Sequence, residues 1–115
     1  NWRWPTLAAM IATRFPRESL RAEARRVETG LVEINLVNDG EIDFSSRLAV
    51  EVRWQDARMV AGDALRDFEL VDAGASAVRF QNQFKPSRLL AGEKQVIGWL
   101  RLDKDCEARV EIKKL

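Results

Sequence analysis

The sequence predicts an all-β chain, an immunoglobulin-like antiparallel β-sandwich with a short helix at its N-terminus. Three observations carry this. Apolar residues recur at every second position in short runs, most cleanly Leu48, Val50, Val52 and Trp54 against Arg47, Ala49, Glu51 and Arg53. Turn chemistry separates the runs, at Asn38-Asp39-Gly40, Asp72-Ala73-Gly74 and Lys85-Pro86-Ser87. The stretch RLLAGEKQVIGWLRL (88–102) reads as a loop, a Gly-Glu turn and a strand that crosses the core. Several short strands with turns between them describe a sandwich better than any helical packing.

Taken in order, residues 1–16 differ from the rest. Pro5 suits a first helical turn, and Leu7 to Ala12 are mostly helix formers, so a helix is expected over 6–13. Phe15-Pro16 ends it, because the residue before proline is pushed out of the α region. This segment is read as the end of a preceding domain, with the sandwich occupying 17–115.

Residues 19–28 are contested. Leu20, Ala24 and Val27 fall at helical spacing, yet Leu20, Ala22 and Ala24 also alternate with Arg21, Glu23 and Arg25. With Thr29-Gly30 turning directly into the next run, the reading adopted is strand. Val32, Ile34 and Leu36 then share one face. The stretch from Gln55 to Arg66 reads as loop, with a turn at Gly62-Asp63. Phe68 and Leu70, then Val78 and Phe80, mark two short strands. In the strand after Gly92, Val96, Leu100 and Leu102 are expected inside, with Ile97 and Trp99 outside. Ala108, Val110 and Ile112 close the chain as a last alternating strand.

A length of 115 residues suits one domain, and 46% hydrophobic content supplies a core. Nineteen Lys and Arg against eighteen Asp and Glu give a net charge of +1, which draws in neither nucleic acid nor an anionic membrane. The arginines at 17, 21, 25 and 26 interleave with Glu18, Glu23 and Glu28, the pattern of a solvated face. A single cysteine excludes an internal disulfide and leaves the compartment open, with periplasm or cell envelope favoured over cytoplasm. No apolar run reaches the length of a membrane span. The chain starts at Asn1 without Met and is read as a piece of a longer protein.

Catalytic parts are sparse. Without His there is no imidazole for acid–base work or metal ligation. Cys106 stands between Asp105 and Glu107, which raises its pKa and blunts it as a nucleophile. Asp39, Glu41 and Asp43 do not follow the calcium-loop spacing, so solvated acids on a turn explain them. Glu51 and Asp56 have nothing in sequence to join them across a cleft. No cofactor and no metal is expected. The residues singled out for contact are Trp2, Trp4, Ile97 and Trp99, as a surface for another domain or a ligand. Trp54, on the inward face of its strand, is expected in the core.

LVEINLVNDG (31–40), VRWQDARMVAGDALRDFEL (52–70) and LLAGEKQVIGWLRL (89–102) together resemble the C-terminal part of a bacterial family of uncharacterised proteins. In that family, the resemblance implies, a glycosidase-like (β/α) barrel precedes a small β-sandwich. NWRWPTLAAMIA (1–12) resembles the closing helix of such a barrel. Phe68 stands where the family pattern has Tyr. The shared residues are strand, turn and loop residues, so no catalytic site transfers.

The expected function is that of a non-catalytic accessory domain, not an enzyme, which docks on an upstream barrel of the same chain. A carbohydrate-binding module is the alternative, resting on an outward Trp99 and on fold-level analogy.

Overall fold

The computed structural model describes residues 9–14 and 20–115. Among these the chain forms strands only: β1 (Ala9–Arg14), β2 (Leu20–Glu28), β3 (Leu31–Asn38), β4 (Phe44–Ser46), β5 (Leu48–Trp54), β6 (Met59–Ala64), β7 (Glu69–Val71), β8 (Ala77–Gln81), β9 (Ser87–Leu89), β10 (Lys94–Leu102) and β11 (Ala108–Lys114). One sheet has the order β1-β2-β3-β10-β6 and faces a second of order β11-β5-β8-β7. β4 and β9 pair as a separate two-stranded ribbon. All pairings are antiparallel.

The alternation foreseen in sequence builds the core. Ala22, Ala24, Ile34, Leu36 and Leu100 from the five-stranded sheet meet Val50, Val52, Phe80 and Val110 from the four-stranded one. Trp54 is also inside, its indole Nε1 donating to the Ala57 carbonyl at 2.9 Å. Phe68 is buried, and a phenyl ring meets that demand without a hydroxyl. The contested segment is strand, because the edge of β3 and the apolar face of Leu20, Ala22 and Ala24 are satisfied together only in that form.

Three expectations are corrected. The helix over 6–13 does not form where the chain is described: Ala9–Arg14 is strand, paired with β2. Helix-forming composition yields there to a sheet edge that offers backbone partners. Residues 1–8, with Trp2 and Trp4, lie outside the described residues. The presumed loop 55–66 contains β6, an edge strand of small residues whose backbone pairs with β10.

The third correction concerns β10. Its register with β3 shifts between Val96, opposite Asn35, and Gly98, opposite Ile34, so Ile97 is an extra residue. This bulge places Ile97, Leu100 and Leu102 inside and turns Val96 outward. Ile97 is 0% exposed, which removes it from the contact surface expected of it. Gly92 enters the strand at φ +77, the left-handed region that favours glycine, and its N–H donates to the Asn38 carbonyl at 2.8 Å.

Candidate functional site

The outer face of the five-stranded sheet holds the candidate site. It is read most simply as rows across the strands. Trp99 of β10 stands opposite Glu33 of β3 on one side and Asp63 of β6 on the other. Glu33 in turn faces Arg25 of β2, which faces Ala9 of β1. Arg25 and Glu33 make a loose ion pair at 3.8 Å. The indole of Trp99 is half-buried in this row of charges.

The row toward the Lys94 end of the strands contains Glu23, Asn35 and Val96. Glu23 is gathered by two cations, Arg21 Nη1 at 2.8 Å and Lys94 Nζ at 3.2 Å. Arg21 also donates from Nε to Asp39 at 2.7 Å. Burial works against the guanidinium's charge, but its bonds to Asp39 and Glu23 outweigh it and raise its pKa. Asn35 is fully buried, although it faces away from the core residues Val32, Ile34 and Leu36.

Toward the opposite end, Leu31 pairs with Arg101 and is half-buried, while Val27 and Val60 are 51% and 64% exposed. Each of these valines is the extra residue where its strand's register shifts. Apolar side chains thus flank Trp99 on the lower half of the sheet, with Arg25, Glu33, Arg101 and Asp63 around them. An aromatic with a mixed polar rim is the make-up of a contact surface.

The chain belongs to a family still without an assigned role, as the match to its family model decides: that model, Domain of unknown function (DUF8456), covers residues 20–103.

It is a DUF8456 domain.

The matched span includes all three stretches that carry the resemblance drawn above. No curated protein and no solved structure matches the chain. The site of this DUF8456 domain therefore rests on its own geometry.

The remaining sequence candidates fall elsewhere. Asp39 is held by Arg21, and Asp43 accepts the Ala91 N–H at 3.0 Å and an Arg88 bond at 3.2 Å, which hold its pKa below the usual carboxylate range. Among the described residues no three His, Cys, Asp or Glu converge as a metal site. Cys106 lines an open cleft of about 1070 Å³ with Trp54, Asp56, Ser76 and Lys104. Burial first, then Asp103, Asp105 and Asp56, raises its thiol pKa and keeps it protonated. Glu51 lies instead on the outer face of the four-stranded sheet, bound by Arg79 at 2.6 Å, Lys113 at 3.2 Å and Arg53 at 3.3 Å. The sequence reading missed Asn35, Glu33 and Asp63. In LVEINLVN, Glu33 and Asn35 look like two ordinary solvent-facing alternates, and only the sheet reveals that one is enclosed.

Proposed function

We propose that this domain is a non-catalytic accessory β-sandwich of a larger bacterial protein, and that the lower half of its outer sheet face docks on the domain ahead of it. The observation that carries this reading is the row Ala9–Arg25–Glu33–Trp99. Ala9, the first described residue of β1, lies in the same row as the half-buried indole, about 14 Å from it at about 4.8 Å per strand. A domain tethered there meets Trp99, Leu31, Val27 and Val60 at high effective concentration. The resemblance to a barrel-plus-sandwich family supplies the barrel as its partner.

The sandwich is read further as immunoglobulin-like. The order β2-β3-β10-β6 suits an A-B-E-D sheet and β5 beside β11 a C-F pair, with the β7–β8 hairpin added next to β5. A second reading, carbohydrate binding, is favoured by the carboxylates of Glu33 and Asp63 on either side of the indole.

The docking test uses the full-length protein, cut at a protease site engineered ahead of residue 1. The affinity between the halves is then titrated. Trp99→Ala should weaken it by about tenfold or more, as loss of a central aromatic anchor does. Halves that separate freely at micromolar concentration would sink the docking reading. A saturable change in indole fluorescence on adding oligosaccharides, abolished in Trp99→Ala, would replace it with the second.

A further inference from the structure

Gly40 follows Asp39, and no other glycine of the chain follows Asp or Asn. An Asp–Gly step is open to backbone rearrangement, because no side chain shields the glycine nitrogen from the neighbouring carboxyl carbon. The structure places this step within reach of water. Asp39 is exposed, in the bend that leads from the end of β3 toward β4. Two contacts hold the reacting groups. Arg21 Nε donates to Asp39 Oδ2 at 2.7 Å, and a carboxylate oxygen so bonded must give up that contact before it can leave as water. Asn38 Oδ1 accepts the Gly40 N–H at 3.0 Å, which turns the attacking nitrogen toward Asn38. The Asn38 side chain is itself fixed. It is buried, and its Nδ2 donates to the carbonyls of Ile42 at 2.9 Å and Leu89 at 3.1 Å.

We propose that Asp39–Gly40 is a modification site of this domain, where the backbone isomerises through a cyclic imide under the restraint of Arg21 and Asn38. The Gly40 nitrogen bonds to the Asp39 side-chain carboxyl carbon, and the amide proton leaves with the carboxyl hydroxyl as water. Water then opens the five-membered ring. Cleavage at the side-chain carbonyl restores aspartate. Cleavage at the main-chain carbonyl leaves the chain running through Cβ and Cγ, as isoaspartate. Water is the only co-reactant, lost in the first step and regained in the second. The isomer has one more atom in its backbone and a shorter carboxylate arm. It therefore loses the Arg21 bond that ties the end of β3 to β2.

The test incubates the 115-residue chain at neutral pH, with isoaspartyl methyltransferase labelling and peptide mapping as the readout. Label should accumulate at Asp39 ahead of every other aspartate. The folded chain should react several-fold more slowly than the same chain unfolded in guanidinium chloride. Arg21→Met should speed the folded reaction several-fold. Arg26→Met is the control for general loosening, because it cuts a similar bond, to Asp105 at 3.0 Å, at the opposite end of β2 and should leave the rate unchanged. Gly40→Ala should slow labelling sharply, since a methyl group then crowds the nitrogen. Gly40 is not among the glycines at positive φ, so alanine meets no left-handed backbone there.

The site is overturned if label appears first at another aspartate, if the folded chain gains none at Asp39 while the unfolded chain does, or if Gly40→Ala reacts as fast as the parent. The restraint is overturned if the folded and unfolded chains react alike, or if Arg21→Met is no faster than Arg26→Met.

Discussion

The ring of Phe80 occupies the space that any side chain on Gly98 would need. A Cβ at Gly98 would overlap the ring edge, closest to Cε2 and 2.7 Å from Cδ2, and would stand 2.9 Å from the Asp63 carbonyl oxygen. The bulge that sends Ile97 inward and the fully buried Phe80 ring of the opposite sheet are therefore one packing solution. Gly98→Ala should cost about 1–3 kcal/mol by overpacking. Combined with Phe80→Leu, the loss should be smaller than the sum of the two single changes, because the smaller side chain relieves the clash. Thermal melts of the four proteins measure this, and strictly additive losses would show that the two residues do not share the space.

Val52 and Glu51 are neighbours with opposite demands. Val52 is 0% exposed, and Val52→Asp places an unpaired charge in the core. That costs several kcal/mol, comparable with a whole domain stability of roughly 5–15 kcal/mol, and should prevent folding. On alternation alone, with its side chain turned to water, Glu51→Lys would be nearly silent. The structure corrects this, because a lysine there faces Arg79, Lys113 and Arg53. A loss of about 1–2 kcal/mol is expected in urea unfolding, reduced but not reversed by salt.

The same cluster gives a pH dependence. The hydrogen bond from Arg79, followed by that from Lys113, holds the Glu51 pKa below its ordinary value of 4.5 despite partial burial. A carboxylate with a depressed folded-state pKa stabilises the fold fully above its unfolded value. That contribution is lost as pH falls from about 4.5 through the folded pKa. Wild type should therefore exceed Glu51→Gln in stability at pH 7, and the gap should close in acid. Asp105, lowered first by the Gly30 N–H and then by Arg26, adds a dependence of the same sign. Unfolding curves of both proteins between pH 7 and 3 test it, and a gap that widens in acid would contradict the assignment.

Trp99 and Ile97 should respond in inverse order to their size. Ile97→Ala leaves a hole in a sealed core and should cost about 2–5 kcal/mol. Trp99→Ala removes a half-buried ring from the outer face and should cost about 1–2 kcal/mol, for partial burial of its area. Chemical denaturation of the two variants decides it. A larger loss at Trp99 would place that ring among the fold's main supports.

Alternation along the chain by itself determined the class of fold and most of the core. Leu20 to Ala24, Val32 to Leu36, Leu48 to Trp54 and Ala108 to Ile112 carry period-two patterns, and each became a strand with the expected face inward. Gly92 was equally legible, because a turn entering a strand needs a residue tolerant of positive φ. Such signals are local, written into the residues that obey them.

What only the tertiary structure decided depends on neighbours distant in sequence. β1 and β6 lack strand-like composition and are strands because β2 and β10 offer open edges to pair with. The faces of β10 turn on a bulge at Ile97, beside a Gly98 whose missing side chain leaves room for the Phe80 ring of the other sheet. The site follows the same rule. Trp99 could be named from sequence as a contact residue, but its companions Glu33, Asp63 and Asn35 come from other strands. Register, set by hydrogen bonding across the sheet, brings them into its rows, and no local pattern encodes that.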